Sequence, residues 1–401
     1  MKKNMKSTSR SIKERNKTLI LQTIMEKGPI SRSTISVQLK LSKATVSSLV
    51  DELISEGLVL ENGFGKARQQ GGRKPIHLTF NARAAYIIGI DIGGTKTLLA
   101  LSDLTGTIID TVLFSTQEYV QQKFLFKLSQ MIHDLLHKHE LTPKCLLGMG
   151  IGVPGMTDAE KGMVIDAPTL KWKDYSLRHD VEQLFQVPVF IDNDVNLAVL
   201  GEQWKGAAAG KKNVVLIAIG TGVGCGIVIN NQLYHGSSWA AGEIGYMVTD
   251  KGDALADHGR VFDGYGYLDS RIGGAGISCA YKKRTRLVKS AKEIFLRAQQ
   301  GEAAALSVVR EVVEHIGFAV SNVISLINPE TVLLGGGISN STDWFLKDIE
   351  RILKEWTPIK AEIKTTDLGA HAVVIGAVSF VLTNNESALL NFRKDEGGYN
   401  E

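Results

Sequence analysis

Long hydrophobic runs, paired cysteines and an apolar leader are what this chain lacks. No apolar stretch approaches the roughly 20 residues that a membrane-spanning helix needs, so a bilayer partner is not expected. The start is rich in lysine, at Lys2, Lys3 and Lys6, without the apolar core of a secretory signal. A cytoplasmic location is therefore predicted. Cysteine occurs three times in 401 residues, at Cys145, Cys225 and Cys279, widely spaced and among apolar or small neighbours. That usage argues against a disulfide framework or a thiolate metal cluster and predicts buried free thiols. With 44% apolar and 22% charged residues, disorder and fibre are poor descriptions. The length accommodates two or three domains.

What is present is unevenly distributed. The net charge of +4 divides into +9 for residues 1–80 and −5 for the remainder. A basic amino-terminal module is where a polyanion would dock, and the bland alternative is a solvated tail.

The pattern within that module is more specific than its charge. Ile12, Leu19, Ile20 and Ile24 place an apolar stripe on a first helix that Gly28-Pro29 ends. Ser31 is suited to cap a second helix carrying Ile35 and Leu39. After a turn at Lys40-Leu41, Ser42 can cap a third, with Val46, Leu49, Val50, Leu53 and Ile54 on one face and Gly57 at its end. The opposite face shows Lys43, Thr45, Ser47 and Ser48. This is the spacing of a helix-turn-helix, whose second helix enters the major groove. Leu58 to Leu60 and Ile76 to Phe80 read as strands around a glycine-rich basic connection, so a wing is expected. Arg73 and Lys74 on it are suited to phosphate or minor-groove contact, and Arg32, Ser42, Lys43, Thr45, Ser47 and Ser48 complete the predicted DNA-binding set. The same connection can also be read as an interdomain linker.

The rest of the chain carries glycine turns after buried strands. Ala85 to Ile90 delivers Asp91 into Gly93-Gly94-Thr95-Lys96, and a strand follows at Leu98 to Leu101. No helix follows the glycines, which excludes a P-loop and a dinucleotide fingerprint. A hairpin whose backbone N–H groups meet phosphate oxygens is the functional reading, and a plain tight turn the structural one. The device recurs at Val214 to Ile219 followed by Gly220-Thr221-Gly222-Val223-Gly224, and a third cluster, Gly335-Gly336-Gly337, follows the strand from Thr331 to Leu334. Two hairpins facing across a cleft are the arrangement of an actin-like, hexokinase-like ATPase.

In this order the motifs resemble the ROK family of repressors, open reading frames and kinases over about residues 82–383, with the winged helix of its repressor branch over 12–80. The matching stretches are Asp91 to Thr97, Gly150 to Gly155, Ala167 to Trp172, Asp192 to Asn196, Gly220 to Gly226, Gly242 to Gly245, Asn328-Pro329 and Gly335 to Gly337. The resemblance implies a winged helix-turn-helix over 1–80 followed by a two-lobed α/β domain over 81–401, ribonuclease H-like, of the actin and sugar kinase superfamily. Lobe I would span about 81–197 with a returning helix at about 370–385, and lobe II about 198–369.

By position, the resemblance makes Gly155, Asn193, Asp194, Glu243, Tyr246 and Asp269 sugar-binding, with Asp194 the general base in a kinase. Asp91, Gly93, Gly94, Thr95, Lys96, Gly220, Thr221, Gly222, Gly224, Gly335, Gly336 and Gly337 become nucleotide-binding, with Mg-ATP as the conditional cofactor. Without that context, Asp194 reads as a helix cap. The departures are equally informative. Tyr246 stands where the family has a zinc- and sugar-binding His, and the segment from Phe262 to Asp269 has none of the expected cysteines. His258 alone cannot replace them, so no zinc is expected. Asp269 replaces a sugar-binding Glu, and Thr169 stands where Asn is common.

The resulting expectation is a sugar-responsive repressor that binds operator DNA, takes a small sugar or sugar phosphate as effector, and works as a homodimer or homotetramer on a pseudo-palindromic site. The alternatives are an ATP-dependent sugar kinase carrying a DNA-binding extension, and a sugar sensor without a DNA role.

Overall fold

The computed structural model describes residues 9–64, 76–119, 122–257, 266–337, 339–385 and 389. The amino-terminal unit opens with α1 (Ser9–Lys27), which buries Ile20, Leu21 and Ile24. It stops where Pro29 removes a backbone donor. Next come β1 (Ile30–Ser31), α2 (Arg32–Leu39) and α3 (Lys43–Ser55). Both predicted caps form: Ser31 Oγ accepts from the Thr34 N–H at 3.2 Å and Ser42 Oγ from the Thr45 N–H at 3.0 Å. Val46, Leu49, Val50 and Leu53 are buried on one side of α3. β2 (Val59–Phe64) and β3 (Ile76–Phe80) pair antiparallel. β1 adds a strand on the other side of β3 that the sequence pattern does not reveal, because two residues carry no period. Residues 65–75, among them Arg73 and Lys74 of the expected wing, lie outside the described residues.

Lobe I is built on β4 (Tyr86–Ile92), β5 (Lys96–Asp103) and β6 (Ile108–Ser115), an antiparallel meander. After α4 (Gln122–Lys138), β7 (Leu146–Val153) joins β4 in parallel. β8 (Met156–Asp158), β9 (Met163–Ala167) and β10 (Trp172–Tyr175) form a small separate sheet. α5 (Leu177–Phe185) leads to β11 (Val189–Asn193), parallel to β7, and the order is β11-β7-β4-β5-β6. α6 (Asp194–Lys205) then crosses to lobe II.

Lobe II repeats the plan. β12 (Val214–Ile219), β13 (Val223–Ile229) and β14 (Gln232–Leu233) make the meander. α7 (Lys251–Asp257), α8 (Tyr267–Ile272), α9 (Gly274–Thr285), α10 (Ala291–Gln299) and α11 (Ala303–Ile327) precede β15 (Thr331–Gly335). After α12 (Ser339–Trp356), β16 (Glu362–Thr365) is added to β15, both parallel to β12, in the order β14-β13-β12-β15-β16. Each lobe therefore joins a three-stranded meander to two parallel strands with helical crossovers, so both strand-to-glycine turns, after β4 and after β12, occupy the same place in their sheets.

The last helix, α13 (Ala372–Asn384), returns to lobe I. Glycines permit its approach. A Cβ on Gly89 or Gly150 would stand 2.4 Å from the carbonyl oxygens of Val374 or Ala377, and one on Gly376 only 1.7 Å from that of Leu197 in α6. Val378 and Val381 of α13, with Leu147, Ala84, Ala85 and Ile87 of lobe I, share one continuous core with Ile20, Ile24, Leu53, Leu58 and Leu78 of the amino-terminal unit. Most of the connection that can also be read as a linker, residues 65–75, lies outside the described residues, and the amino-terminal unit and lobe I meet through packed apolar side chains.

One expectation needs correction. Cys225 is buried in β13, but Cys145 is only half-buried and Cys279 is exposed on α9. Small neighbours such as Ser278 and Ala280 do not imply burial when the helix turns that face outward. All three are free thiols, as expected.

The close crossing of α6 and α13 gives a first prediction. Gly376→Ala should destabilise the protein by about 3 kcal/mol, the upper end of ordinary overpacking costs, because the obstacle is backbone rather than a movable side chain. Urea unfolding measures this, and a midpoint equal to the wild type would mean that the helices separate easily.

Candidate functional site

On the reading face, Ser42, Lys43 and Ser48 are exposed and Thr45 and Ser47 half-buried, side by side along the first turns of α3. Thr45 Oγ1 lies 2.8 Å from Ser42 Oγ. These short side chains leave the helix free to approach a groove. Arg32, predicted to touch DNA, is paired with two carboxylates at the surface. Its Nη1 donates to Glu61 Oε1 at 2.8 Å and its Nη2 to Asp51 Oδ1 at 2.6 Å. It clamps α2, α3 and β2 together and so positions the reading helix; no local sequence signal indicates those partners, 19 and 29 residues away.

The second site gathers four carboxylates around the start of α6. Asn193 caps α6, with Oδ1 accepting from the N–H groups of Val195 (2.9 Å) and Asn196 (3.2 Å), while its Nδ2 donates to the Gly155 carbonyl at 2.9 Å. Gly155 needs its positive φ of 89°, and a Cβ there would lie 2.2 Å from the Asp166 carbonyl oxygen. The cap is thus Asn193, not Asp194. Asp194 begins the helix and accepts from the Val195 N–H at 2.9 Å. Burial pushes its carboxyl up to about 6, with Glu243 contributing in the same direction. At the end of β4, burial and then the neighbouring Asp194 push Asp91 up to about 7. Glu243 is exposed, yet desolvation and then Asp269 raise its pKa. Tyr246, half of its surface exposed, is raised by desolvation and by Glu243, Asp269 and Asp166. Asp91, Asp194, Glu243 and Asp269 are far apart in sequence and electrostatically coupled in space.

Asp269 holds structure together. Its Oδ1 accepts from the Val223 N–H at 2.6 Å and its Oδ2 from the Gly266 N–H at 3.0 Å. It thereby joins the start of α8 to the exit of the second glycine turn. A Cβ on Gly222 would be 3.3 Å from Asp269 Oδ1. The predicted sugar ligand therefore has both carboxylate oxygens engaged by backbone.

The glycine positions separate into two kinds. Gly93, Gly94 and Thr95 form the tip of the β4–β5 hairpin, with Thr95 and Lys96 exposed, and Gly220, Thr221 and Gly222 the tip of the β12–β13 hairpin. Gly336, at φ 83°, and Gly337 follow β15 at the surface. Gly224 and Gly335, by contrast, lie within strands. There the missing side chains make room for Val195 of α6 and for Thr366. A hollow of about 270 Å³ beside Gly94 is lined by Thr116, Gln117, Tyr119, Thr169, Lys171 and Trp172.

Sequence reasoning gave no role to Asp192 and His235. Asp192 is fully buried; its Oδ1 accepts from Asn193 N (2.7 Å) and Asn196 Nδ2 (2.9 Å), and its Oδ2 lies 2.7 Å from His235 Nε2. The available signal was an acidic residue ending the buried strand from Val189. Among the described residues no group of three or more His, Cys, Asp and Glu side chains could hold a metal ion, and His258 lies outside them.

Comparison with known proteins agrees with this geometry. Residues 87–384 match the ROK family, and residues 13–59 match a winged helix-turn-helix DNA-binding family. The chain is 34% identical over 400 residues to a xylose repressor of Caldicellulosiruptor bescii, covering 93% of this chain and 96% of that protein. It is 33% identical over 311 residues to a glucokinase of Halalkalibacterium halodurans, covering 73% of this chain and 93% of that protein. The crystal structure of a ROK family transcriptional regulator, a homologue of the Escherichia coli MLC protein, superimposes with a TM-score of 0.81 at 25% identity, covering 95% of this chain and 98% of the other. The winged reader, the two-lobed domain and the matches across nearly the whole chain lead to one conclusion: the chain belongs to the ROK family.

Proposed function

We propose that this protein is a sugar-responsive transcriptional repressor of carbohydrate-use genes, in which the two-lobed domain senses the effector and the winged helix binds the operator. The observation that carries this reading is the shared core joining the reader, lobe I and α13, because α13 also packs against the helix that begins with Asp194. Effector binding closes the lobes around α6 and changes the placement of the reading helices in a two-fold assembly, which a pseudo-palindromic operator requires. The effector is an unphosphorylated aldose. Asp91, Asp194 and Glu243 accept hydroxyl hydrogens well, while a phosphate would meet like charge. Relatives named xylose repressor make D-xylose the first probe.

A kinase is the second reading, favoured by Asp194, a carboxyl of raised pKa suited to general-base work, and by the retained turn at Gly93 to Lys96. The second turn does not fit a triphosphate. Asp269 already takes the Val223 N–H and places negative charge beside Gly222, so Mg-ATP is not part of the proposed mechanism.

In the decisive experiment, DNA enriched from a random pool by the protein serves as operator. Thr45→Ala with Ser48→Ala should weaken operator binding about tenfold, in line with a lost base or phosphate contact of roughly 1–3 kcal/mol, and should leave the sugar-induced rise in Tm intact. Asn193→Ala should do the reverse. Wild-type affinity equal for enriched and random DNA would remove the repressor reading. In an ADP-release assay across a sugar panel we expect no turnover; rapid sugar-dependent release that Asp194→Asn abolishes would establish the kinase instead.

The raised carboxyl pKa values make a separate prediction. Asp194, at about 6 in the folded chain against an ordinary 3.8, favours folding most when protonated, and that contribution is lost as pH rises through 6. The Tm advantage of Asp194→Asn over the wild type should therefore grow from about pH 4 to pH 6 and level off above it. A constant difference would mean that Asp194 titrates normally.

A further inference from the structure

Between β14 and Glu243 the chain makes a loop in which one residue adopts a conformation that its side chain disfavours. Trp239 has φ 61°, in the left-handed region that a bulky residue seldom enters. Strain of this kind persists only where the surroundings enforce it, and it concentrates at ligand clamps. The enforcement is visible. Ala241 N donates to the His235 carbonyl at 3.1 Å, and Gly242, at φ 89°, sits so close to β13 that a Cβ on it would be 1.8 Å from the Cys225 carbonyl oxygen.

The indole ring lies 4.7 Å from the His235 ring, inclined at 59°. His235 is itself held by buried Asp192, whose other oxygen accepts from the Asn193 backbone and the Asn196 side chain. Trp239 is therefore one ring removed from the turn that presents Asn193 and Asp194, and four residues before Glu243. It is half-buried, leaving part of its ring uncovered.

We propose that Trp239, propped by His235, is a specificity-determining residue of the effector site: a platform for the apolar face of an aldopyranose whose hydroxyl edges meet Asn193, Asp194 and Glu243. This rests on the sugar-sensor reading above. A pyranose with all ring hydroxyls equatorial has flat C–H faces that can lie on an aromatic ring, whereas the axial C4 hydroxyl of an epimer projects from one of the two faces, the one that this platform would contact, and would lose hydration there without gaining a partner. The site accordingly selects D-xylose and D-glucose over their C4 epimers, L-arabinose and D-galactose.

The test is calorimetric titration of these four sugars into the full chain, using wild type, Trp239→Gly, Trp239→Asn and Asn193→Ala. Glycine and asparagine both tolerate positive φ, so each removes the ring without demanding a new backbone. We expect both Trp239 variants to match or exceed the wild-type Tm, to bind the preferred sugar about tenfold more weakly, equivalent to 1.4 kcal/mol, and to lose most of the discrimination between C4 epimers. Asn193→Ala should abolish binding of all four. Affinity within twofold of wild type in both Trp239 variants, with binding still lost in Asn193→Ala, would overturn the platform and leave the sensor reading standing. A fall of several degrees in Tm in both variants, or a wild-type preference for the axial epimers, would also overturn the platform. Failure of the wild type to bind any of the four would overturn both.

Discussion

The contact on which the rest of the molecule depends is the crossing of α6 and α13. Where the two backbones meet, Gly201 faces Ala372 and Gly376 faces Leu197, each too close for any side chain. The amino end of α6 is the Asn193-Asp194 turn, and α13 continues with Val378 and Val381 into the core of the DNA-reading unit. The ligand turn and the reading helix are thus separated by packed layers. Such interfaces pass on small displacements because close-packed interiors do not deform continuously. Binding can bias the reader only through a difference in affinity between two arrangements, and in the proposed sensor the arrangement that changes would include α6.

The cleft supplies that difference through charge. Desolvation raises both Asp91 and Asp194, and the neighbouring Asp194 raises Asp91 further, so Asp91, at about 7, keeps part of its proton near neutral pH. An empty cleft of this composition is electrostatically unfavourable. In the proposed sensor, a neutral polyol donating hydroxyl hydrogens to Asp194 and Glu243 would relieve it, most of all with the lobes closed and water excluded. Ligand recognition and closure are then favoured by the same carboxylates.

Much of this was legible in the sequence because it is local. Ser31 and Ser42 cap helices that start where the apolar period starts, and the glycine turns follow strands whose uninterrupted apolar runs identify them. Element boundaries and the repeated hairpin were readable for the same reason. What was not legible depends on partners distant in the chain. Arg32 appears as a cation on a reading surface until Asp51 and Glu61 are brought to it. Asp269 appears as a shortened sugar ligand until the Val223 and Gly266 N–H groups occupy it. His235 carries no motif; its position follows from the buried carboxylate of Asp192.

The same non-local facts bear on the choice between sensor and kinase, which the fold alone leaves open because a fold hosts many functions. Around α6, desolvation raises the carboxyls of Asp194 and Glu243 and the capping Asn193 is fixed to Gly155, an organisation that suits the proposed polyol effector. At the second glycine turn, a carboxylate has taken a backbone donor and brought its charge to Gly222. Phosphoryl transfer requires electropositive positioning of the transferred group, since nearly all of its catalysis is charge neutralisation and alignment. Desolvated carboxylates at one end and negative charge beside the second glycine turn at the other fit the proposed sensor, which would hold its effector unreacted.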